Sequence, residues 1–233
     1  MQALAQLAPY DFRNAARRPA VSAASPRFTS TGTTIVGLLC EGGVVLAADT
    51  RATAGEIVAD KECMKIHYVA ESMRCCGAGP SADTRAVTGM CSSMLYLHSL
   101  KTGRPPLFQS AAQIMQDHLF RHMGYVSAYL ILAGYDYKGA HLCEIGASGS
   151  LTDLPFVAQG SGSYAAQSVL DRRYRPGLSP QQAMEIAADA VEAGVLNDMG
   201  SGSNINVCLI TAGGVEAHES FRRTGTESAG RRE

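Results

Sequence analysis

The chain has 233 residues, of which 46% are hydrophobic and 18% are charged. This balance is typical of one or two packed domains and excludes a disordered or fibrous chain. The net charge of -1 gives no reason to expect nucleic acid as a partner. No apolar run approaches the ~18 residues needed to cross a bilayer, which excludes an integral membrane protein.

The first 32 residues differ in charge from the rest of the chain. They contain four arginines and one aspartate, a net charge of +3, which leaves -4 on the remaining 201 residues. They are rich in Ala, Ser and Arg and lack an apolar stretch long enough for a secretory signal. Composition leaves three interpretations open: a disordered tail, an organellar transit peptide, or a propeptide that is removed on maturation.

From residue 33 onward the pattern changes to that of β-structure. Residues 33–40 are β-branched and apolar, residues 41–43 form a glycine turn signal, and residues 44–48 are a second apolar run. Together they predict a hairpin. Both runs are nearly continuous in apolar residues, as expected of strands that are covered on both faces.

Apolar spacing and terminal signals predict four helices and further strands. The fourth helix begins with a capping box at Ser179 and a proline at its first position, and Gly124 is the predicted stop of the second helix. The predicted helices are 81–97, 110–123, 163–173 and 180–196, and the further predicted strands are 65–70, 73–76, 127–133, 141–145, 155–158 and 204–211.

The order of these elements predicts an α+β fold. Strands, two helices, strands, two helices and strands follow one another, which is not the alternation of a doubly wound sheet. We expect two sheets inside and helices outside, because such layering explains strands that are apolar on both faces. Residues 33–221 are interpreted as one domain and residues 222–233 as a short basic tail.

The junction between Gly32 and Thr33 is the first candidate for chemistry. Cleavage there would expose the amino group of Thr33 beside its own hydroxyl. A free α-amine has a pKa of ~7.7–8.0, which suits a general base at neutral pH, and such an amine can activate the hydroxyl of the same threonine. The alternative is that Thr33 is merely a strand residue that follows a flexible tail.

Two charged residues at the ends of apolar strands support the first interpretation. Asp49 ends an apolar strand and Lys65 precedes the next one, and ionised groups in such places need partners. An Asp49–Lys65 pair with its ammonium close to Thr33 would favour a neutral amine and an activated hydroxyl. An ordinary surface salt bridge is the alternative that sequence spacing leaves open.

Three glycine-rich stretches, 77–79, 160–163 and 198–203, could bring backbone N–H groups close to a ligand or an oxyanion. Neither a P-loop nor a dinucleotide fingerprint is present, and no G-x-S-x-G elbow exists. His118 and His122 lack the glutamate of H-E-x-x-H, and the seven cysteines show neither zinc spacing nor a disulfide framework. The sequence therefore predicts no metal and no cofactor, and thiols in a reducing compartment.

Six motifs in register resemble an active β subunit of the eukaryotic 20S proteasome, most closely the trypsin-like active type. They are Gly32-Thr33-Thr34-Ile35-Val36-Gly37, Ala48-Asp49-Thr50-Arg51-Ala52-Thr53, Lys65-Ile66, Gly77-Ala78-Gly79, Gly160-Ser161-Gly162-Ser163 and Asp198-Met199-Gly200-Ser201-Gly202-Ser203-Asn204. Segments 58–61, 65–67, 97–100 and 194–198 match the trypsin-like type in particular.

The resemblance implies a four-layer αββα sandwich of the N-terminal nucleophile hydrolase type and a threonine-type endopeptidase. It implies self-cleavage between residues 32 and 33, so that 1–32 is a propeptide. The site residues that it implies are the nucleophile Thr33, the tuning residues Asp49 and Lys65, the amine-orienting residues Ser161, Asp198 and Ser201, the oxyanion hole at Gly79, and the substrate-binding residues Arg51, Thr53, Gly77, Gly79 and Asp83.

Substrate preference and partners are also implied by the resemblance. Glycine at 77 would leave the S1 pocket open for a long side chain, and Asp83 would select Arg or Lys by charge pairing. Arg85 stands where this type usually has an acidic residue, and the C-terminal extension of this type is curtailed here. The implied partners are other β subunits in a seven-membered ring, α rings, and an unfolded protein or peptide substrate, with a cytoplasmic and nuclear location.

Two other functions remain as alternatives. A non-catalytic scaffold subunit would share the fold, although such relatives usually lose the nucleophile or the lysine. An ATP-dependent threonine peptidase of the bacterial or mitochondrial type would share the Thr-Thr start and would suit an Arg-rich leader.

Overall fold

The computed structural model describes residues 32–55 and 57–224. The helices are α1 (Ser81–Thr102), α2 (Phe108–His122), α3 (Ser163–Arg173) and α4 (Pro180–Asn197). The strands are β1 (Thr34–Cys40), β2 (Gly43–Asp49), β3 (Ala52–Ala54), β4 (Ile57–Asp60), β5 (Ile66–Ala70), β6 (Met73–Ala78), β7 (Tyr129–Asp136), β8 (Gly139–Ile145), β9 (Leu151–Asp153), β10 (Phe156–Gly160), β11 (Asn204–Thr211) and β12 (Gly214–Arg223).

Two five-stranded antiparallel sheets form the centre of the molecule. One has the strand order β10-β1-β2-β11-β12 and the other β5-β6-β7-β8-β9, while β3 and β4 pair separately. The predicted hairpin is present, with Ile35 opposite Ala48 and Cys40 opposite Gly43. The first sheet is therefore centred on β2, whose seven residues are all buried.

The predicted α+β fold with four αββα layers is confirmed. Helices α1 and α2 pack on the second sheet through residues such as Leu95 and Met115. Helices α3 and α4 pack on the first sheet through residues such as Leu170 and Val191. Residues between the two sheets, Ile131 among them, form a third buried cluster. This double cover explains the continuous apolar runs in the central strands.

The capping box at the start of α4 is confirmed. The Ser179 hydroxyl accepts a hydrogen bond from the N–H of Gln182, and the Gln182 side chain accepts one from the N–H of Ser179. The predicted end of α2 was one residue late. The helix ends at His122 because Met123 already adopts a left-handed conformation with φ 48°.

The described residues begin and end close to the bounds of the predicted domain, 33–221. Residues 1–31 of the predicted propeptide and residues 225–233 of the predicted tail lie outside them. Strand β12 continues to Arg223, two residues past the predicted domain end. No helix in the described part of the chain is long and apolar enough to cross a membrane.

Candidate active site

Antiparallel pairing places the ends of four strands of the first sheet next to one another. Thr34 at the start of β1 lies opposite Gly160 at the end of β10. Asp49 at the end of β2 lies opposite Ile205 near the start of β11. The segments that flank these ends include several of those from which the sequence predicted chemistry, so the register of the first sheet brings its part of the site together.

The predicted ion pair between Asp49 and Lys65 is present and buried. The Lys65 Nζ lies 2.7 Å from Asp49 Oδ1, and the two side chains are 7% and 0% exposed. Backbone N–H groups donate to the other lone pairs of Asp49, from Thr34 at 2.9 Å, Gly202 at 3.0 Å and Arg51 at 3.2 Å. This complete set of partners is what allows an ionised carboxylate to be buried.

The ammonium of Lys65 also faces the hydroxyl of Thr33. The Nζ lies 3.2 Å from Thr33 Oγ1 and 3.2 Å from the carbonyl oxygen of Gly32. The Thr33 hydroxyl donates to the same Gly32 carbonyl at 2.7 Å. A hydroxyl, an amide carbonyl and a cation are thus gathered within hydrogen-bond distance of one another, and Thr33 is only 2% exposed.

A second carboxylate lies on the nitrogen side of Thr33. The Thr33 N–H donates to Ser161 Oγ at 3.0 Å, and Ser161 donates to Asp198 Oδ2 at 2.6 Å. Ser201 also donates to Asp198 Oδ2, at 2.7 Å. Burial raises the pKa of Asp198, but these two hydroxyls and the N–H groups of Gly200 and Ser201 together hold it below its usual value. Asp198 is therefore an anion at neutral pH.

Gly32 is held in position from both sides. Its N–H donates to Thr53 Oγ1 at 3.1 Å. A Cβ at residue 32 would lie 2.1 Å from the Gly200 backbone, and a Cβ on Gly200 would lie 2.5 Å from the Gly32 Cα. Neither position has room for a side chain, so two glycine backbones pass each other in direct contact.

Arg51 lies beside the loop that follows α4, residues 198–203. Its Nη1 donates to the Met199 carbonyl at 3.2 Å, and its guanidinium fills the space in which a Cβ of Gly202 would project. Its Nε is buried and has no hydrogen-bond partner in the described part of the chain. Arg51 therefore contacts the loop that carries Asp198 and Ser201.

The glycines at the end of β6 lie beside this network. The Gly77 N–H donates to the Lys65 carbonyl at 3.3 Å, which ties this segment to the ion pair. Gly79 has φ +112°, and a Cβ there would lie 2.1 Å from the Ser127 carbonyl oxygen. Glycine is required at 79 by both conformation and space.

Gly77 and Asp83 lie where β6 meets α1. A Cβ on Gly77 would lie 2.7 Å from the Cβ of Thr84 on α1. Glycine at 77 therefore lets β6 and α1 pack closely, and its predicted role in the S1 pocket stays a prediction. Asp83, in the first turn of α1, accepts a hydrogen bond from the Ser127 N–H at 3.0 Å. Arg85 is exposed, and no ion pair joins it to Asp83.

Sequence reasoning missed one polar residue of this network. The Thr34 hydroxyl lies 2.8 Å from Ser201 Oγ and is completely buried. The only signal in the sequence was a polar residue at the start of an apolar strand, and threonine is also an ordinary strand residue.

Comparison with known proteins gives matches over most of the chain. The family described as Proteasome subunit matches residues 29–210. The chain is 53% identical over 186 residues to the "Probable proteasome subunit beta type-2" of Schizosaccharomyces pombe, covering 80% of this chain and 70% of that one. It is 51% identical over 203 residues to the "Proteasome subunit beta type-7-B" of Arabidopsis thaliana, covering 87% and 73%. It is 46% identical over 191 residues to the "Proteasome subunit beta type-10" of Mus musculus, covering 82% and 70%.

Proposed function

The chain belongs to the proteasome subunit family as a β-type subunit, and from this premise we propose that it is a catalytic one, acting as a threonine-type endopeptidase. A proteasome β subunit has a protease role and assembles with other proteasome subunits. The observation that carries the proposal is the contact of the Thr33 hydroxyl with the Lys65 ammonium at 3.2 Å. A scaffold role would not require a buried cation next to a hydroxyl.

The first reaction in this proposal is self-cleavage. Thr33 Oγ1 attacks the carbonyl carbon of Gly32, the C–N bond between residues 32 and 33 breaks, and the hydroxyl proton ends on the nitrogen. This acyl shift leaves an ester, which water hydrolyses to a Gly32 carboxylate and the free hydroxyl of Thr33. The Lys65 ammonium, 3.2 Å from the Gly32 oxygen, would stabilise the negative charge that develops there.

The free amine then serves peptide hydrolysis. It takes the proton from its own hydroxyl while Oγ1 attacks the substrate carbonyl, as in other N-terminal threonine nucleophiles. The proton passes to the leaving amine, and water hydrolyses the resulting ester. Ser161, Asp198 and Ser201 would orient the amine and its water, since Ser161 already accepts from the Thr33 nitrogen. The Gly79 N–H would form the oxyanion hole.

Substrate binding is proposed for the segments that border Thr33. Arg51, Thr53 and the glycines at 77 and 79 would hold an extended peptide by backbone pairing, as in strand addition. We propose cleavage after basic residues, on the basis of the resemblance to the trypsin-like type and of the half-buried carboxylate of Asp83. Unfolded proteins and peptides are the proposed substrates.

The proposed context is the assembled proteasome. Residues 1–32 would be a propeptide that self-cleavage removes, and the mature chain would occupy a seven-membered β ring between α rings in cytoplasm and nucleus. The three relatives described above are eukaryotic proteasome subunits. This favours the proteasome over a bacterial-type threonine peptidase.

The test is Thr33→Ala in the assembled particle, with Thr33→Ser as the matched control that keeps a hydroxyl and an amine. We expect Thr33→Ala to retain residues 1–32 by intact mass and to lose cleavage of fluorogenic peptides with Arg at P1. The serine variant should still be processed and active. Unchanged Arg-directed cleavage in Thr33→Ala particles would favour the scaffold alternative, and a parental particle that keeps residues 1–32 would refute the mechanism.

A further inference from the structure

We propose that Thr34 is a positioning residue that holds the Asp49 and Asp198 sides of the site in fixed relation to Thr33. The inference rests on the proposed function and adds a residue to it. Thr34 is the neighbour of the nucleophile in sequence, and it makes hydrogen bonds toward both carboxylates, one through its backbone and one through its side chain.

The side-chain bond has a defined direction. A carboxylate can only accept hydrogen bonds, so Ser201, at 2.7 Å from Asp198 Oδ2, must donate to it. Ser201 has a single hydroxyl proton, which leaves only its lone pairs for the 2.8 Å contact with Thr34. The Thr34 hydroxyl is therefore the donor.

The same reasoning orients the other arm of the network. Ser161 donates to Asp198, so it must accept from the Thr33 nitrogen. Two arms thus converge on Asp198, one beginning at the backbone of residue 33 and the other at the side chain of residue 34. Donors arranged in series strengthen one another, so the Thr34 hydroxyl makes Ser201 a better donor.

The backbone bond reaches the other carboxylate. The Thr34 N–H donates to Asp49 Oδ1 at 2.9 Å, the same oxygen that receives the Lys65 ammonium at 2.7 Å. A rotation of residue 34 would therefore disturb both the ion pair and the Asp198 arm.

Packing prevents such a rotation. Thr34 is 0% exposed. A Cβ on Gly162, at the start of α3, would lie 2.1 Å from Thr34 Oγ1, and a Cβ on Gly194, in α4, would lie 2.4 Å from Thr34 Cγ2. The two glycines form a niche shaped for this side chain, and its branched Cβ restricts it to few rotamers.

The test compares Thr34→Val, which keeps the shape and removes the donor, with Thr34→Ser, which keeps the donor. We expect Thr34→Val to lower kcat for peptide cleavage about tenfold, as for a lost buried hydrogen bond, with KM within about twofold because substrate contacts are unchanged. Thr34→Ser should recover most of kcat. Self-cleavage of Thr34→Val, followed by intact mass, should slow in parallel.

Thr88→Val is the control for removing a buried threonine hydroxyl elsewhere, since Thr88 donates only within α1. We expect its kcat to match that of the parental chain.

Thr34→Ala replaces the valine variant if that variant fails to assemble. Thr34→Val or Thr34→Ala with parental kcat, or Thr34→Ser impaired as strongly as Thr34→Val, would overturn the proposal. A parental particle without Thr33-dependent cleavage would instead overturn the proposed function.

Discussion

At the scale of single residues, the site depends on the buried ion pair between Lys65 and Asp49. Lys65 is 7% exposed, and its ammonium is divided between Asp49, the Thr33 hydroxyl and the Gly32 carbonyl. A buried ammonium without the carboxylate would be strongly disfavoured. The Asp49–Lys65 pair therefore allows a cation to be buried beside the Thr33 hydroxyl, in a place that water barely reaches.

Arg85 carries the prediction on substrate preference. Burial lowers the pKa of His67 on β5, and the Arg85 guanidinium lowers it further, so Arg85 lies close enough to β5 for its charge to act there. We expect Arg85→Glu to raise kcat/KM for peptides with Arg at P1 about three- to tenfold, as for an exposed ion pair of about 1 kcal/mol.

The control for this prediction is Arg85→Gln, which removes the positive charge without adding a negative one and should give an intermediate rate. Peptides with Leu at P1 provide the reference substrate in the same assay. An unchanged ratio of Arg-directed to Leu-directed cleavage would contradict a role of residue 85 in charge selection.

The sequence predicted those residues of the site whose chemical type is unusual at their position in or beside a strand. A carboxylate at the end of an apolar strand, at Asp49, or a lysine at the start of another, at Lys65, demands a partner. Thr34 and Thr53 could not be found in this way, since threonine is common in strands. The Thr53 hydroxyl depends on the distant Gly32 for its contact, and the Thr34 side chain depends on Gly162 and Gly194, which no local pattern encodes.

At the scale of elements, long and strongly patterned segments were predicted closely. Helix α3 and strand β11 have the predicted bounds. Strands β3, β4 and β9 were missed because they have only three or four residues and little burial. Strand β12 was missed because its ten residues alternate weakly and none of them is fully buried. Its strand conformation is imposed by pairing with β11.

An ion network joins β12 to α4. Arg222 on β12 pairs with Asp189, Glu192 and Glu185 of α4, and Arg173 of α3 also pairs with Asp189. Burial raises the pKa of Asp189, but the two guanidinium groups outweigh it and hold the pKa below the ordinary value of 3.8. The network therefore stabilises the end of the sheet as long as the carboxylates are ionised.

We expect Arg222→Gln to lower the free energy of unfolding at pH 7 by about 1 kcal/mol, or roughly 2–4 °C in Tm. Because the folded-state pKa of Asp189 is depressed, its contribution is present above its unfolded pKa and is lost as the pH falls through the folded value. The deficit of Arg222→Gln should shrink below about pH 4.

Thermal unfolding of the purified chain at neutral and acidic pH measures this difference. Arg223→Gln is the matched control, since Arg223 is the exposed neighbour on the same strand and has no ion pair in the described part of the chain. A deficit of equal size at both pH values would show that packing, and not ionisation, is responsible.

At the scale of the whole molecule, the interface between the sheets determines whether the site forms. Thr33 and Asp49 lie at the ends of strands of one sheet, whereas Lys65 and the glycines at 77 and 79 lie at the ends of strands of the other. The sequence predicted that two sheets would stack, because the strands are apolar on both faces. It could not predict their separation, which depends on how particular side chains interlock.

Gly37 on β1 tests that separation. A Cβ there would lie 2.7 Å from Leu142 Cδ1, 3.0 Å from Ile131 Cγ2 and 3.3 Å from Leu46 Cδ2. We expect Gly37→Ala to destabilise the chain by about 1–2 kcal/mol, since overpacking outweighs the entropy gained from losing a glycine. The proposed self-cleavage should slow as well, because Lys65 would move relative to Thr33.

Gly89→Ala is the matched control. This glycine is exposed on α1, and a Cβ there would meet nothing within 4 Å. We expect the change to raise stability by about 0.5–1 kcal/mol, as for Gly to Ala in a helix. Thermal unfolding of the two variants should therefore show shifts of opposite sign. Two shifts of the same sign would contradict the role assigned to the sheet interface.

The contact of Gly32 with Gly200 has a consequence for how such a chain can change. Any alanine, however small, at either position would push apart two main chains that now touch. We therefore expect geometry alone to restrict positions 32 and 200 to glycine, whatever their part in the chemistry. Position 32, beside the bond that we propose is cut, thus offers a place for a single amino acid out of twenty.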